Sequence, residues 1–426
     1  MRSNLNYKFL GVSLIVLFFF IPSEMYAQDM EEYVTYRGEV VNLVTNDALE
    51  SVTIMVQNSN ISTITNSEGD FVLKIPSEYL NSSVLISHLG YRSKEIRIED
   101  LSEENNKIEL TTKITDLSAI SLLSYTDPEA LVRAVFDRKK ANNPSEPTVM
   151  TAFYRETIKR RNRNVSLTEA VVNLYKQPYT NKSKDIVALN KARKSTDYRR
   201  LDTVTVKLQG GPYSTLYLDI MKYPEYIFTP ASIGDYKFNF IAPSAINGRP
   251  VYVVNFTQLE TILEPLYKGT LYIDAETLAL TNAYYSLNLS KTRDIENIFV
   301  KKKPRDVTVT PTVASYRVDY SEKDNKWQYN YGSVELSFKV AKRGKLFNQV
   351  YTLSAEMAVT DWQQNTTGFM GQPENRLKPT VVMVDAVSGF TDPDFWGPYN
   401  LIEPEKSIES AINKIKRKLN REKDKV

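Results

Sequence analysis

From Tyr33 to Leu110 short apolar runs alternate with polar ones at the two-residue period of half-buried strands, broken by clusters of Asn, Asp, Ser and Gly. Strands are predicted over residues 35–41, 52–56, 70–75, 84–87, 95–98 and 107–110. Thr45-Asn46-Asp47, Asn66-Ser67-Glu68-Gly69 and Asn81-Ser82-Ser83 supply turns between them. No helical period intervenes, so this stretch reads as a small antiparallel sandwich.

A linker over 112–126 ends in Thr126-Asp127-Pro128-Glu129, a capping residue before a proline at the first helical turn. Ala130, Leu131, Ala134, Val135 and Phe136 follow at helical spacing, and Asn142-Asn143-Pro144 stops the helix. Strand patterning then returns. Residues 149–158 are aromatic-rich, 165–175 alternate around Glu169, and 251–256, 267–274, 278–287, 315–320, 327–340 and 350–359 continue the series. Asp274 to Thr277 has the acidic start and polar end of a tight turn. Residues 176–203 are basic and polar (Lys182, Lys184, Lys191, Arg193, Lys194, Arg199, Arg200) around the apolar island 186–189. They predict an exposed hairpin or loop, whose cations form a solvated face or meet an anionic partner. At the end Pro404 and Glu405 suit a first helical turn. Ile408, Ala411, Ile412, Ile415 and Leu419 then form one stripe, with Lys414, Lys416, Arg417, Lys418 and Arg421 opposite. Such a helix packs on the sheet, or makes a peripheral contact with a membrane surface.

The start of the chain changes the compartment. Arg2 and Lys8 flank the beginning of an apolar run over 9–21, followed by Pro22 and Tyr26-Ala27-Gln28, the layout of a cleaved secretion signal. The mature protein is expected to begin near Gln28, in the periplasm or at the outer-membrane periphery. The 426 residues contain no cysteine, so stability must come from burial, and no thiol follows the signal for lipid attachment. Hydrophobic residues make up 42% and tyrosines outnumber glycines by 27 to 15, which fits a β-rich globular chain. A net charge of +3 gives no reason to invoke nucleic acid.

The one histidine, His88, closes off whole classes of chemistry. Zinc peptidase sites generally draw two or more ligands from histidine, and a serine triad needs a histidine base beside its nucleophile. His88 ends a short apolar strand and reads as a packed or edge-of-sheet residue. Carboxylate chemistry survives this exclusion. Asp219, Glu225, Asp274 and Glu276 lie beside Tyr217, Tyr223, Tyr226 and Tyr272, aromatics able to stack on sugar rings, although turn and rim roles also account for these acids. No catalytic, cofactor-binding or metal-ligating residue is assigned, and no cofactor is expected.

Gly38-Glu39-Val40, 49–54, 63–71 and Ser87-His88-Leu89-Gly90-Tyr91 together resemble the carboxypeptidase-regulatory-like domain. This is a transthyretin-like β-sandwich at the start of many Bacteroidetes envelope proteins. Ile61-Ser62 stands where a glycine often precedes the Thr-x-Thr segment, which is read as a changed turn. The resemblance implies a folding or docking module without catalysis. The hairpin motif around Gly269, Leu271, Tyr272, Ile273, Asp274, Thr277 and Ala279 loosely resembles the half-barrel of periplasmic lipoprotein carriers. That resemblance implies a cup whose apolar face accepts acyl chains, unless a helix or the sheet's own aromatics fill it. Residues 395–408 are similar to the closing segment of the same Bacteroidetes proteins.

The expected fold is mainly β. A signal peptide (1–27) precedes an N-terminal transthyretin-like sandwich (28–113), a linker with a short helix (114–145), a large curved antiparallel sheet (146–402) and a C-terminal amphipathic helix (403–426). The expected function is a non-enzymatic exported envelope protein, a docking or binding module with an apolar ligand or an envelope protein partner. Two alternatives stay open: a carboxylate-only hydrolase acting on glycans, and an accessory subunit of outer-membrane uptake or assembly.

Overall fold

The computed structural model describes residues 33–112, 125–161, 163–196, 209–246, 249–290, 305–344, 346–364, 373, 375–387, 396–406, 408–409 and 412–413. The expected signal segment, most of the linker, residues 247–248 and most of the expected C-terminal helix lie outside them.

Seven strands build the sandwich: β1 (Tyr33–Asn42), β2 (Thr53–Val56), β3 (Ser62–Ile64), β4 (Asp70–Pro76), β5 (Ser83–Ser87), β6 (Lys94–Arg97) and β7 (Asn106–Leu110). They form two sheets, β4-β1-β7 and β3-β2-β5-β6. Alternate residues from both, among them Val40, Ile54, Phe71, Leu73, Val84 and Ile86, interdigitate in one core. The Asn66–Gly69 turn forms as expected. The Asn66 side chain accepts from the backbone N–H of Glu68 and Asp70, and Gly69 takes φ +79° where a Cβ would meet the Val40 carbonyl. The sandwich is not wholly antiparallel, because β7 runs parallel to β1, with Gly38 opposite Asn106 and Asn42 opposite Leu110. After β6 the chain crosses from one sheet to the other before β7, and alternation specifies faces without specifying strand direction.

The second unit is a ten-stranded antiparallel sheet. Its strands are β8 (Thr148–Arg160), β9 (Arg163–Lys176), β10 (Ile186–Thr196), β11 (Tyr236–Ile246), β12 (Arg249–Gln258), β13 (Tyr267–Asp274), β14 (Leu280–Leu287), β15 (Val307–Lys323), β16 (Lys326–Lys342) and β17 (Gln349–Gln364). The order is β10-β9-β8-β17-β16-β15-β14-β13-β12-β11, so the last strand inserts beside β8 and joins the two halves. The basic stretch expected to be a hairpin or loop contributes the edge strand β10, and β11 is a strand the sequence pattern did not mark.

One face of this sheet carries the main core. Met150, Tyr154, Leu174, Phe256, Leu271 and Tyr329 are fully or almost fully buried there. Helix α1 (Pro128–Asp137), the segment holding α3 (Pro212–Leu216) and the short α4 (Met383–Ala386) cover it, while α2 (Lys139–Asn142) continues from α1. The N-terminus of α1 is set as the sequence predicts, with Asp127 accepting from the Glu129 N–H at 2.9 Å and Pro128 at the first position. α3 crosses β16 at Gly332, where a Cβ would lie 2.9 Å from the Thr215 carbonyl oxygen, so only glycine admits this approach. Ile408 and Ile412 of the closing segment bury against Leu167, on the opposite face of the sheet.

Candidate binding groove on the polar face of the sheet

Strand pleating places alternate residues on the face opposite the main core, and there the sequence is polar. Cross-strand register lines up one residue from each of the ten strands: Asn239, Asn255, Thr270, Tyr284, Arg317, Ser333, Glu356, Arg155, Glu169 and Arg193. A single polar row thus crosses the entire sheet.

Its β10 end is sealed. Glu169 is wholly buried between two guanidinium groups, Arg155 at 2.8 Å and Arg193 at 2.6 Å. Burial works against its charge, yet these two arginines hold its carboxyl below the usual glutamate range. Arg155 also donates to the Ile402 carbonyl at 2.7 Å and reaches Glu356 at 3.4 Å. Glu356 is different: burial pushes its carboxyl up despite Arg155 beside it and the Tyr331 hydroxyl donating to it.

The seal is the strap 396–406, lying between sandwich and sheet. Trp396 packs edge-on against Phe153 at 5.5 Å and under the Arg193 guanidinium, and Leu401 and Ile402 join Ile64, Val72 and Val171 in a second apolar cluster. Asn400 accepts from the Lys74 N–H and donates to the Lys74 carbonyl, extending β4 as a strand partner would. Thr63 donates to the Leu401 carbonyl and Asn66 to that of Glu403. The sandwich is thereby fastened to the sheet through residues of its own turn motif.

The other end of the row is open. A groove of about 880 Å³ lies over it, bounded by Glu50 and Ser67 of the sandwich, Glu405 of the strap, Ile408 just beyond it, and hydroxyl, amide and charged side chains of β8 and β12 to β17. Arg317 stands in its floor with its guanidinium 4.9 Å from the Tyr284 ring and 5.3 Å from the Tyr331 ring, held by Asp319. Thr270 donates to Asn255 at 2.7 Å. Burial opposes the charge of Glu405, but Ser67 and Lys159 together keep its carboxyl below the ordinary range.

A smaller cavity of about 280 Å³ adjoins the groove and shares Arg317. It holds His88, whose Nε2 lies 3.1 Å from the Glu50 carbonyl and whose ring meets Tyr91 edge-on. Burial, then the Arg317 charge, lower its pKa. His88 is therefore a packed residue at the junction of the two units.

The four acids singled out from the sequence do not line the groove. Asp219 lies on the apolar face in a closed polar cluster. Its carboxylate accepts from Lys176 at 2.7 Å, Tyr179 at 2.8 Å and Tyr320 at 3.1 Å, and Asp185 takes a second bond from Lys176. The Lys176 ammonium sits 5.1, 5.7 and 5.8 Å from the rings of Tyr179, Tyr223 and Tyr329. Asp274 caps the β13–β14 turn, accepting from the Glu276 and Thr277 N–H groups, and pairs with Arg249 at 2.9 Å. Glu276 is 81% exposed at its side chain and shares that arginine, while Glu225 is exposed. Tyr217 stacks on Tyr226 at 5.0 Å, and the Tyr272 ring meets Tyr284 edge-on. Among the described residues no group of three or more His, Cys, Asp or Glu is arranged to hold a metal ion.

Residues 36–121 match the family model of the CarboxypepD_reg-like domain. The resemblance read from the Gly38 to Tyr91 motifs holds over that span, which covers the sandwich and none of the ten-stranded sheet. No curated protein matches the chain. Among solved structures, a domain assigned to outer membrane lipoprotein sorting from Vibrio parahaemolyticus aligns at 12% identity, covering 58% of this chain and 96% of that one, with a TM-score of 0.25. A DUF1329 family protein from Desulfovibrio piger aligns at 9% identity over 57% and 95% of the two chains, TM-score 0.24. A membrane-associated protein of unknown function from Bacteroides fragilis aligns at 8% over 78% and 99%, TM-score 0.16.

Proposed function

We propose that the protein is a non-enzymatic binding module of the cell envelope whose ligand seat is the polar groove, and that its ligand is polar. The observation that carries this reading is the contrast in filling. The apolar face is packed by the chain's own α1, α3 and α4 segments, whereas the open volume of about 880 Å³ lies over hydroxyls, the Asn255 amide and charged side chains of both signs, among them Arg317, Lys268 and Glu335. A ligand presenting hydroxyl or amide groups would match that lining, and an acyl chain would leave its polar atoms unpaired. Tyr284 and Tyr331, already braced on Arg317, offer ring surface beside the polar groups.

The absence of catalysis belongs to the same proposal. Of the four carboxylates that line the groove, Glu356 is engaged with Arg155 and Tyr331 and Glu405 with Lys159 and Ser67, while Glu50 and Glu335 are exposed and lie on different units, the sandwich and β16. Export, and a place in the periplasm or at the outer membrane, rest on the signal-like start of the sequence.

The test is native mass spectrometry of the protein purified from the bacterial envelope, beside a Ser333→Trp variant that fills the groove floor. A co-purifying polar species absent from the variant is expected. An acyl species retained by the Ser333→Trp variant, or a hydrolytic activity lost on Glu356→Gln, would overturn the reading.

A further inference from the structure

The turn between β16 and β17 exposes two large apolar side chains side by side, Leu346 at 95% and Phe347 at 75%. Val350, at the start of β17, is exposed as well. Isolated apolar residues on a surface need no explanation, but an adjacent pair at a protruding tip is a different feature.

Its surroundings are basic. The β8–β9 turn lies alongside, since Arg160 pairs with Tyr351 and the Arg161 N–H donates to the Val350 carbonyl at 2.8 Å. Arg161 and Arg163 are exposed there. The entry to β15 flanks the other side, where the Arg343 N–H donates to the Asp306 carbonyl at 2.8 Å, and Arg305 and Arg343 are exposed. Lys342 pairs with Asp306 at 3.8 Å, and Asp306 is the one acid among the described residues of these three turns. An apolar tip thus projects through a collar of cations at one end of the sheet.

We infer that this tip docks the protein onto an anionic lipid surface, with Leu346 and Phe347 entering the acyl boundary and the arginine collar resting on the headgroups. The two halves of the feature call for two properties in one partner, an apolar layer immediately beneath a negatively charged one, which is the profile of an anionic bilayer. A protein partner would need a complementary pocket, and the tip offers it a narrow point in place of a broad face. This docking is independent of what the groove holds, and would place the protein at a membrane with its groove still free.

Because the chain contains no cysteine, Phe347→Cys gives a unique site for an environment-sensitive fluorophore. With phosphatidylglycerol vesicles the label is expected to shift to the blue and brighten, the response weakening with added salt and disappearing on phosphatidylcholine. A label at Ile241→Cys, exposed on the edge strand β11, is expected to stay in water. The Leu346→Ser, Phe347→Ser double variant should lose about tenfold in co-sedimentation with phosphatidylglycerol vesicles at an unchanged melting temperature. Three results would overturn the inference. The label at 347 could remain in water while the protein sediments with vesicles, which assigns binding to the basic C-terminal segment. The serine variant could sediment like the parent. The label could respond to protein concentration without vesicles, which assigns the tip to a second copy of the chain.

Discussion

The two faces of the ten-stranded sheet solve the same problem differently. Both bury charge among tyrosines. On the apolar face Lys176 is enclosed with Asp185 and Asp219, and the chain's own inserted segment closes over them. On the polar face the cross-strand row is covered by a separate unit, and only in part: the strap seals Arg155, Glu169 and Arg193, while Arg317 and Ser333 face the groove. A face packed by local sequence becomes a closed core. A face covered by a docked module keeps space that a ligand can use.

Removing the cation on each face breaks this comparison most sharply. Lys176→Met strands two wholly buried carboxylates that have no other cation bonded to them among the described residues, and should cost about 5 kcal/mol. Arg155→Met leaves Glu169 with Arg193, so its cost should be nearer about 3 kcal/mol. Urea denaturation of both variants checks the order. An Arg155 variant as costly as the Lys176 one would mean that the strap contributes far more than its hydrogen bonds suggest.

Next in size is a pH effect on the apolar face. Burial raises the Glu156 carboxyl from 4.5 to about 7, while the Tyr154 hydroxyl donating to it works the other way. The folded state therefore holds this proton more tightly than the unfolded chain, and stability falls as pH rises through the interval between those two values. Glu156→Gln should remove that slope and raise stability by about 3 kcal/mol above the interval. Melting curves across the range, parent against variant, read it directly. A parent whose stability is flat across the interval would place Glu156 in a wetter setting than its burial indicates.

Much of the frame was legible in the chain. The strand runs, the Asp127 and Pro128 helix start, the Asn66–Gly69 turn and the Asp274 turn are local devices, each complete within a few residues, and they formed as read. The polar row was not. Its members lie far apart in sequence, Arg155 beside Glu356 and Glu169 beside Arg193, and only register brings them together. The available signal was a charged residue inside an otherwise apolar strand, as Glu169 is in β9, flanked by Thr168, Ala170 and Val171, all buried. On β8 the alternation itself disappears, because Phe153 and Tyr154 are buried on opposite faces. The basic stretch around Arg193 looked solvated for a related reason: charge density reports exposure until a partner from another strand neutralises it.

The smallest effect is also a pH effect, on the polar face and of opposite sign. His88 has its pKa lowered, first by burial and then by Arg317, from an unfolded value of 6.5. The unfolded chain binds this proton more tightly, so the contribution is complete above 6.5 and is lost as pH falls from 6.5 through the lowered folded value. His88→Gln should flatten that part of the profile and leave the Glu156 slope in place. Because His88 lies where the sandwich meets the sheet, its protonation strains the junction before it disturbs either core. Hydrogen exchange at acid pH should therefore rise first in the strap and in β5, ahead of β8 and β9. Uniform exchange across both units would show that the sandwich and sheet open as one body, and the distinction between the packed face and the docked face would then be one of chemistry alone.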